Sequence, residues 1–119
     1  MKHNFSSPKE AVLYYMKRST CSVQVGAVLW DNQGLVAAGW NHMGDSGFGE
    51  HAEINALKRA NHKRLSKAIL YVAGRRKKSK NPVNSRPCAA CAPAVRGCFY
   101  VSWRDKDNSW QLRRGEDLI

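Results

Sequence analysis

The stretch AILYVAG, Ala68–Gly74, decides the fold because it is apolar at consecutive positions and not only at alternate ones. A strand with one face in water alternates apolar and polar residues, whereas a strand covered on both faces is a nearly continuous apolar run. The stretch therefore predicts a strand inside a sheet with helices on both sides. The expected fold class is α/β, with a single three-layer α/β/α domain around a central mixed sheet.

The neighbouring apolar runs predict how this strand is paired. GCFYVSW at 97–103 follows CAACAPAVR at 88–96, which can begin a short helix, and strands joined through a helical segment are usually parallel. VQVGAVLWD at 23–31 and GLVAAGW at 34–40 flank a turn-forming Asp-Asn-Gln-Gly sequence, which predicts an antiparallel hairpin. The sheet should therefore contain both kinds of pair.

Two helices are predicted around these strands. Ser7 and Pro8 precede KEAVLYYMKR at 9–18, which has a helical apolar face, and HAEINALKRA at 51–60 places Ile54 and Leu57 on one side. The segment RRKKSKNPVNSRP at 75–87 is predicted as a loop, because it combines like charges with prolines and asparagines. The polar tail from 104 onward is assigned no element.

The length and the N-terminus indicate the class of protein. The chain of 119 residues is 43% hydrophobic, so residues 1–119 are expected to form a single domain. The N-terminus lacks the apolar core of a signal peptide, and no apolar run approaches the roughly 20 residues that span a bilayer. We expect a soluble, cytoplasmic protein with no membrane partner, whose cysteines serve as metal ligands or redox groups more readily than as disulfides.

The positive charge is concentrated in one region. The formal net charge is +11, and every Asp and Glu lies outside the stretch between Ile54 and Trp103. The densest basic cluster consists of Arg75, Arg76, Lys77, Lys78 and Lys80. One interpretation is a solvated loop that maintains solubility. The other is contact with nucleic-acid phosphates, which a basic segment without acidic residues favours.

Two short motifs carry the chemistry: His51-Ala52-Glu53 at a predicted helix start, and Pro87-Cys88-Ala89-Ala90-Cys91 further along. Each is weak alone, since His and Glu are common at helix ends and a CxxC pair also occurs in redox sites and zinc ribbons. In this order they match the H-x-E…P-C-x-x-C signature of zinc deaminases.

The chemistry of these residues agrees with the signature. One imidazole and two thiolates, from His51, Cys88 and Cys91, leave Zn²⁺ an open tetrahedral position for water, as in a catalytic site. Glu53 can then move protons without being a ligand. A closed structural site would need a fourth ligand, for which Cys21 and Cys98 are candidates, although both are more readily interpreted as buried small side chains.

From about Gln24 to Trp103 the chain resembles the cytidine deaminase-like superfamily. The sequence Ala38-Gly39-Trp40-Asn41, followed by a short loop and HAEINAL at 51–57, looks most similar to bacterial tRNA adenosine deaminases and deoxycytidylate deaminases. The resemblance implies a zinc-dependent hydrolytic deaminase that converts cytosine to uracil in a single-stranded nucleic acid or nucleotide, with zinc-bound hydroxide as the nucleophile and Glu53 as the proton shuttle. It also implies a homo-oligomer.

Two alternatives stay open beside this function. One is a tRNA-type adenosine deaminase that forms inosine, which the HAEINAL stretch favours. The other is a non-catalytic, zinc-stabilised module that binds nucleic acid. Such a module would be distinguished by the loss of Glu53, and Glu53 is present.

The expected substrate-binding residues are Asn41, Ala52, Arg86 and Trp103. Asn41 follows from the resemblance, its alternative being a turn residue at a strand end. Arg86 lies beside the metal ligands and can meet a phosphate, while Trp103 can stack on a base or belong to the core. His42 and Phe48, in the loop before His51, are further candidates for the pocket.

The chain departs from the family pattern in three places, and each bears on the substrate. Ser85-Arg86-Pro87-Cys88 stands where the tRNA enzymes have EPC and many polynucleotide cytidine deaminases have SPC. The segment from Gly74 to Ser85 is longer and more basic than a compact nucleotide deaminase requires. The C-terminal helical region expected of the tRNA enzymes is short or missing.

Overall fold

The computed structural model of the chain describes residues 5–42, 51–88 and 91–118. Its elements, in chain order, are α1 (Pro8–Met16), β1 (Val23–Asp31), β2 (Gly34–Trp40), α2 (Ala52–Arg59), a 3-10 helix (His62–Lys67), β3 (Ile69–Arg76), β4 (Pro82–Val83), α3 (Ala92–Val95), β5 (Tyr100–Arg104), β6 (Trp110–Arg114) and a second 3-10 helix (Gly115–Asp117). Among the described residues, no helix is long and apolar enough to cross a membrane.

The strands form one mixed sheet, which confirms the predicted fold class. The strand order is β2-β1-β3-β5-β6, and β4 pairs with β3 away from this path. β3 and β5 are parallel, as the helical segment between them predicted, whereas β1 pairs with β2 and β3 in antiparallel register. The polar tail, to which the sequence assigned no element, supplies β6 along the edge of β5.

Helices cover both faces of the sheet, as the continuous apolar run of β3 predicted. α1 packs on one face, where Val12 and Met16 contact Val28 and Ala73 in a small core. α2 packs on the other face in the larger core. That core buries α2 and α3 against the apolar residues of the strands, among them Ala27, Leu29, Leu70, Val72, Val95 and Val101.

The predicted loop at 75–87 is wrong in part, because it contains a β-hairpin. β3 continues to Arg76, and β4 returns beside it with Pro82 opposite Arg75. The Arg76 N–H donates to the Asn81 carbonyl at 2.9 Å, and Lys80 closes the turn with a φ of 66°. A short outer strand tolerates proline, whose missing N–H has no ladder partner there, so composition alone indicates a loop.

The buried face of α2 also differs from the prediction. Ile54 is only half-buried, whereas Glu53 and Asn55 are buried beside Ala52, Ala56 and Leu57. Apolar periodicity cannot identify a helix face that buries polar side chains for a purpose. Glu53 lines a surface pocket together with His51, whereas Asn55 Oδ1 accepts a hydrogen bond from the Trp40 N–H at 3.4 Å.

Candidate active site

The two predicted motifs lie at the starts of helices that pack on the same face of the sheet. His51 is the N-cap residue of α2, one position before the predicted first turn, and its backbone is extended with φ −72° and ψ 148°. Cys91 directly precedes α3, and its N–H donates to the Cys88 carbonyl at 3.0 Å. This turn brings the two cysteines to the same side as His51.

The side chains of His51, Cys88 and Cys91 converge. His51 Nδ1 lies 3.1 Å from Cys91 Sγ and 3.5 Å from Cys88 Sγ, and the three possible ligand atoms all lie within 4.8 Å of one another. In a tetrahedral site, bonds of about 2.0 Å to nitrogen and 2.3 Å to sulfur separate the two ligand atoms by about 3.5 Å. The residues therefore fit a zinc ion.

The environment of Cys91 also suits a cation. Its thiol is buried, and burial together with the nearby Glu53 carboxylate and Cys88 raises the pKa of Cys91 to about 12. A thiol of this kind keeps its proton at neutral pH unless a bound cation displaces it. The donor set of one imidazole and two sulfurs is one that zinc prefers.

Glu53 lies against this group without belonging to it. Its side chain is 5% exposed, and it is not among the three convergent ligands. Burial raises the pKa of the Glu53 carboxyl, while a hydrogen bond from its own backbone and the charge of His51 partly oppose that rise. A carboxyl in this environment binds a proton more readily than one in water.

A cleft of about 200 Å³ opens beside the convergent ligands. Its walls include His51, Glu53 and Cys88, and three of the predicted substrate-binding residues, Asn41, Ala52 and Arg86, also line it. Sequence reasoning missed the other lining residues, Val25, Asn84 and Ser85. The last two stand directly before Arg86-Pro87-Cys88, and this adjacency to the metal-ligand segment was the available signal.

The Asn41 side chain is held in place by β1. Its Oδ1 accepts a hydrogen bond from the Val25 N–H at 2.9 Å, and its Nδ2 donates to the Val23 carbonyl at 2.9 Å. The Asn41 backbone N–H also donates to the Val25 carbonyl at 3.1 Å. Asn41 therefore fixes the wall of the cleft where β1 begins and β2 ends, and its Nδ2 retains a second proton that it can donate.

Arg86 and Trp103 form a stacked pair at the cleft. The Arg86 guanidinium lies 5.4 Å from the centre of the Trp103 ring, Arg86 is exposed, and Trp103 is 5% exposed in the larger core. Of the two interpretations of Trp103, the structure therefore places the side chain in the core, beneath Arg86. Stacking on the tryptophan ring holds a guanidinium in position while its N–H groups stay available.

The remaining predicted residues lie outside the cleft. Arg75 donates from Nε to Gln24 Oε1 at 2.9 Å, so it differs from the exposed Arg76, Lys77, Lys78 and Lys80 around the hairpin turn. His42 packs against Trp40, and Phe48 lies outside the described residues.

Neither additional cysteine is placed with the convergent ligands. Cys98 is buried in the core, where burial raises its pKa to about 11, and the Cys21 thiol contacts the Asn41 carbonyl at 3.7 Å.

Comparison with known proteins agrees with this geometry. The family model described as the cytidine and deoxycytidylate deaminase zinc-binding region matches residues 5–99. No curated protein sequence matches the chain.

Solved structures share the fold. A cytidine deaminase from Burkholderia pseudomallei is 22% identical with a TM-score of 0.71, covering 92% of this chain and 91% of its own. The dCMP deaminase of cyanophage S-TIM5 in apo form is 23% identical with a TM-score of 0.59, covering 80% of this chain and 77% of its own. Its complex with dCMP and dUMP has a TM-score of 0.58 at 23% identity, covering 87% and 85%.

Proposed function

Because the chain belongs to the zinc-binding cytidine and deoxycytidylate deaminase family, we propose that it is a hydrolytic deaminase that converts cytosine to uracil in a nucleotide or a single-stranded nucleic acid. The observation that carries the proposal is the position of Glu53. This buried carboxyl lines the same cleft as His51 and Cys88, beside the convergent ligands. A structural zinc site has no need of a buried acid there.

The proposed reaction consumes one water and releases one ammonia. The water oxygen forms a bond to C4 of cytosine, the C4–N bond to the amino group breaks, and the carbonyl of uracil is formed. One proton of the water goes to N3 of the ring and the other leaves with the amino group as ammonia. No electron donor or acceptor is required, so an organic cofactor has no role.

His51, Cys88 and Cys91 are the residues that would hold zinc. Zinc in this position supplies Lewis acidity, which makes water nucleophilic near neutral pH. The ligands come from two separate segments, so their arrangement depends on the packing of α2 and α3 on the sheet. The N–H groups of the first turn of α2 also face this region, and they favour negative charge there.

Glu53 is the proposed proton shuttle. It takes a proton from the attacking water, passes it to N3, and later delivers a proton to the departing amino group. Burial raises the pKa of Glu53, which supports this role because the same group must accept a proton and then give it up. The Glu53 side chain is 5% exposed, so little bulk water contacts it.

Asn41, Ala52 and Arg86 are proposed to contact the substrate. Asn41 is fixed by β1, and Ala52, at the start of α2, presents a small side chain that leaves room for a flat base. Arg86 stands at the cleft on the Trp103 ring, where its guanidinium can bind a phosphate. Trp103 is therefore proposed to position Arg86 from below and not to stack on the base.

The test is base conversion on a matched panel: cytidine, CMP, dCMP, adenosine, single-stranded DNA and RNA, and tRNA. Ammonia release and mass change are measured for the zinc-loaded protein, with Glu53→Ala as the blank and zinc content determined for both. We expect cytosine substrates to be converted and the variant to retain zinc without turnover. Conversion of adenosine alone would support the tRNA-type alternative, and no conversion at all would overturn the proposal.

A further inference from the structure

We propose that the substrate of this site is a polynucleotide, whose strand leaves the cleft along a basic groove beside the β3–β4 turn. The inference rests on the proposed deaminase function and extends it from a nucleotide to a polymer. It assigns binding to residues that lie beyond reach of a single nucleotide in the cleft.

The groove consists of two adjoining pockets outside the cleft. The inner pocket, of about 530 Å³, is lined by Arg76, Asn81, Pro82, Val83, Asn84 and Lys106. The outer pocket, of about 550 Å³, is lined by Thr20, Ser22, Arg76, Lys77, Lys78 and Ser79. Asn84 lines both the cleft and the inner pocket, and Arg76 lines both pockets, so the three cavities follow one another along the surface.

The groups along this groove suit phosphates and sugars. Its cations are Arg76, Lys77, Lys78 and Lys106, and the hydroxyls of Thr20, Ser22 and Ser79 add neutral hydrogen-bond donors. Basic side chains and hydroxyls are among the groups that hydrogen-bond to the phosphates and sugars of a nucleic-acid backbone. Arg86 continues the same series of cations into the cleft itself.

The cations of the turn are available for a ligand. The described ion pairs of the chain are Arg64–Asp31 and Arg114–Glu116, and within the described ranges Arg76, Lys77 and Lys78 pair with no acidic side chain. The acidic residues near Lys106 are Asp105 and Asp107. Asp105 accepts the Lys106 backbone N–H at 2.7 Å, and Asp107 accepts the Ser109 backbone N–H at 3.0 Å.

The turn that carries these cations is ordered by backbone hydrogen bonds. The Lys77 N–H donates to the Ser22 carbonyl at 2.9 Å, which ties the turn to the segment before β1. The Lys80 N–H donates to the Arg76 carbonyl at 2.9 Å within the turn. A solvated loop needs no such attachment, whereas a binding surface gains affinity when its charges are already held in place.

The length of the groove exceeds one nucleotide. Strand β4, Pro82–Val83, runs between Asn84 at the cleft and the turn, so the whole inner pocket separates the outer pocket from the cleft. A strand whose base lies in the cleft reaches the outer pocket only through nucleotides beyond the one that carries that base. A free nucleotide with its base beside Glu53 would leave the outer pocket empty.

The test compares a 15-nucleotide strand containing one cytosine, as DNA and as RNA, with free dCMP and CMP. The test variant is Lys77→Ala/Lys78→Ala. Its matched control is Lys63→Ala/Lys67→Ala in the 3-10 helix before β3, which removes the same charge at the opposite end of that strand. Strand binding is measured by fluorescence anisotropy with zinc-loaded Glu53→Ala protein, and turnover is measured with active protein.

We expect the test variant to bind the strand about tenfold more weakly than the control and to lower the slope of log affinity against log salt by about 1.4, the value for two lost phosphate contacts. The ratio of kcat/KM for the strand to that for the nucleotide should fall in parallel. Equal affinities and slopes for the two variants would overturn the proposed role of the groove in strand binding, but not the proposed deaminase activity. Absence of turnover on every substrate would instead overturn the proposed function, and DNA and RNA strands compared with each other identify which polymer is preferred.

Discussion

Adding a single methyl group at Gly39 should move His51 away from the other two metal ligands, Cys88 and Cys91. Gly39 lies in β2 directly beneath α2, and a Cβ atom built there would lie 2.5 Å from the Ala56 nitrogen, 2.7 Å from Asn55 Oδ1 and 2.9 Å from the Ala52 carbonyl oxygen. The nearest and farthest of these atoms are helix backbone, which cannot move aside as a flexible side chain can. In Gly39→Ala the helix must therefore shift as a body.

The size of the shift follows from ordinary contact distances. Non-bonded atoms pack at about 3.5 Å, so α2 must move outward by about 1 Å. His51 and Glu53 move with it, whereas Cys88 and Cys91 stay with α3. A displacement of about 1 Å in catalytic groups can lower turnover by about 100-fold, and overpacking of this kind costs about 1–3 kcal/mol of stability.

Two further glycines provide controls. Gly26 faces α1 on the opposite side of the sheet, where a Cβ would lie 2.5 Å from the Met16 nitrogen, so Gly26→Ala should destabilise the fold to a similar extent without touching the site. Gly97 has nothing within 4 Å of such a Cβ, so Gly97→Ala should be close to neutral. Urea unfolding, zinc affinity by competition with a chelator, and kcat/KM are measured for all three variants below their unfolding transitions.

We expect Gly39→Ala and Gly26→Ala to lose similar stability, and only Gly39→Ala to lose zinc affinity and turnover. If folded Gly39→Ala protein bound zinc and turned over substrate as Gly97→Ala does, the close packing of α2 on β2 would not position the site. If Gly26→Ala lost zinc and turnover equally, the effect would be one of general stability and the positioning argument would fail.

Three other predictions follow from single contacts. Arg64 lowers the pKa of Asp31 below its ordinary value of 3.8 through hydrogen bonds of 2.7 and 2.6 Å. Because the Asp31 pKa is lower in the folded protein than in the unfolded chain, the ion pair stabilises the fold at pH values above the unfolded pKa, and this stabilisation is lost as the pH falls. Arg64→Met should therefore lower the Tm at pH 7 and have little effect on it at pH 2. An equal loss of Tm at both pH values would contradict a stabilising ion pair. Asn41→Ala leaves the Val25 N–H and Val23 carbonyl without the side chain that bonds both, so urea unfolding should detect a loss of about 1–3 kcal/mol, and an unchanged midpoint would contradict this. Arg86→Ala should raise KM for dCMP about tenfold relative to cytidine, and an equal change for both would argue against phosphate contact.

The sequence was sufficient for the parts of the fold that depend on apolar pattern. The unbroken apolar run of β3 identified a strand covered on both faces, and the helical segment before β5 predicted the parallel pair. The sequence did not predict β6, because this edge strand is largely exposed, with Leu112 at 60%, and shows no apolar alternation. The β3–β4 hairpin was also not predicted, because like charges and prolines indicate a loop when the strand that pairs with them is unknown.

The candidate site likewise contains residues that the sequence predicted and residues that it did not. His51, Cys88 and Cys91 were predicted because metal ligands need particular side chains at particular spacings, and the structure brings them together. Asn84 and Ser85 have no such signature, since they line the cleft only through the path that the chain takes between β4 and Cys88. The support of Arg86 by Trp103 likewise depends on the register of β5 in the sheet.

The role of Glu53 is tested most directly by turnover of zinc-loaded Glu53→Gln protein beside the wild type, with ammonia release from cytosine substrates as the readout. Glutamine keeps the shape of the side chain and removes its capacity to carry a proton. We expect one zinc per chain in both proteins and a loss of at least about 100-fold in kcat in the variant. Turnover in the variant comparable to that of the wild type, with zinc retained, would contradict the assignment of Glu53 as the group that moves the proton.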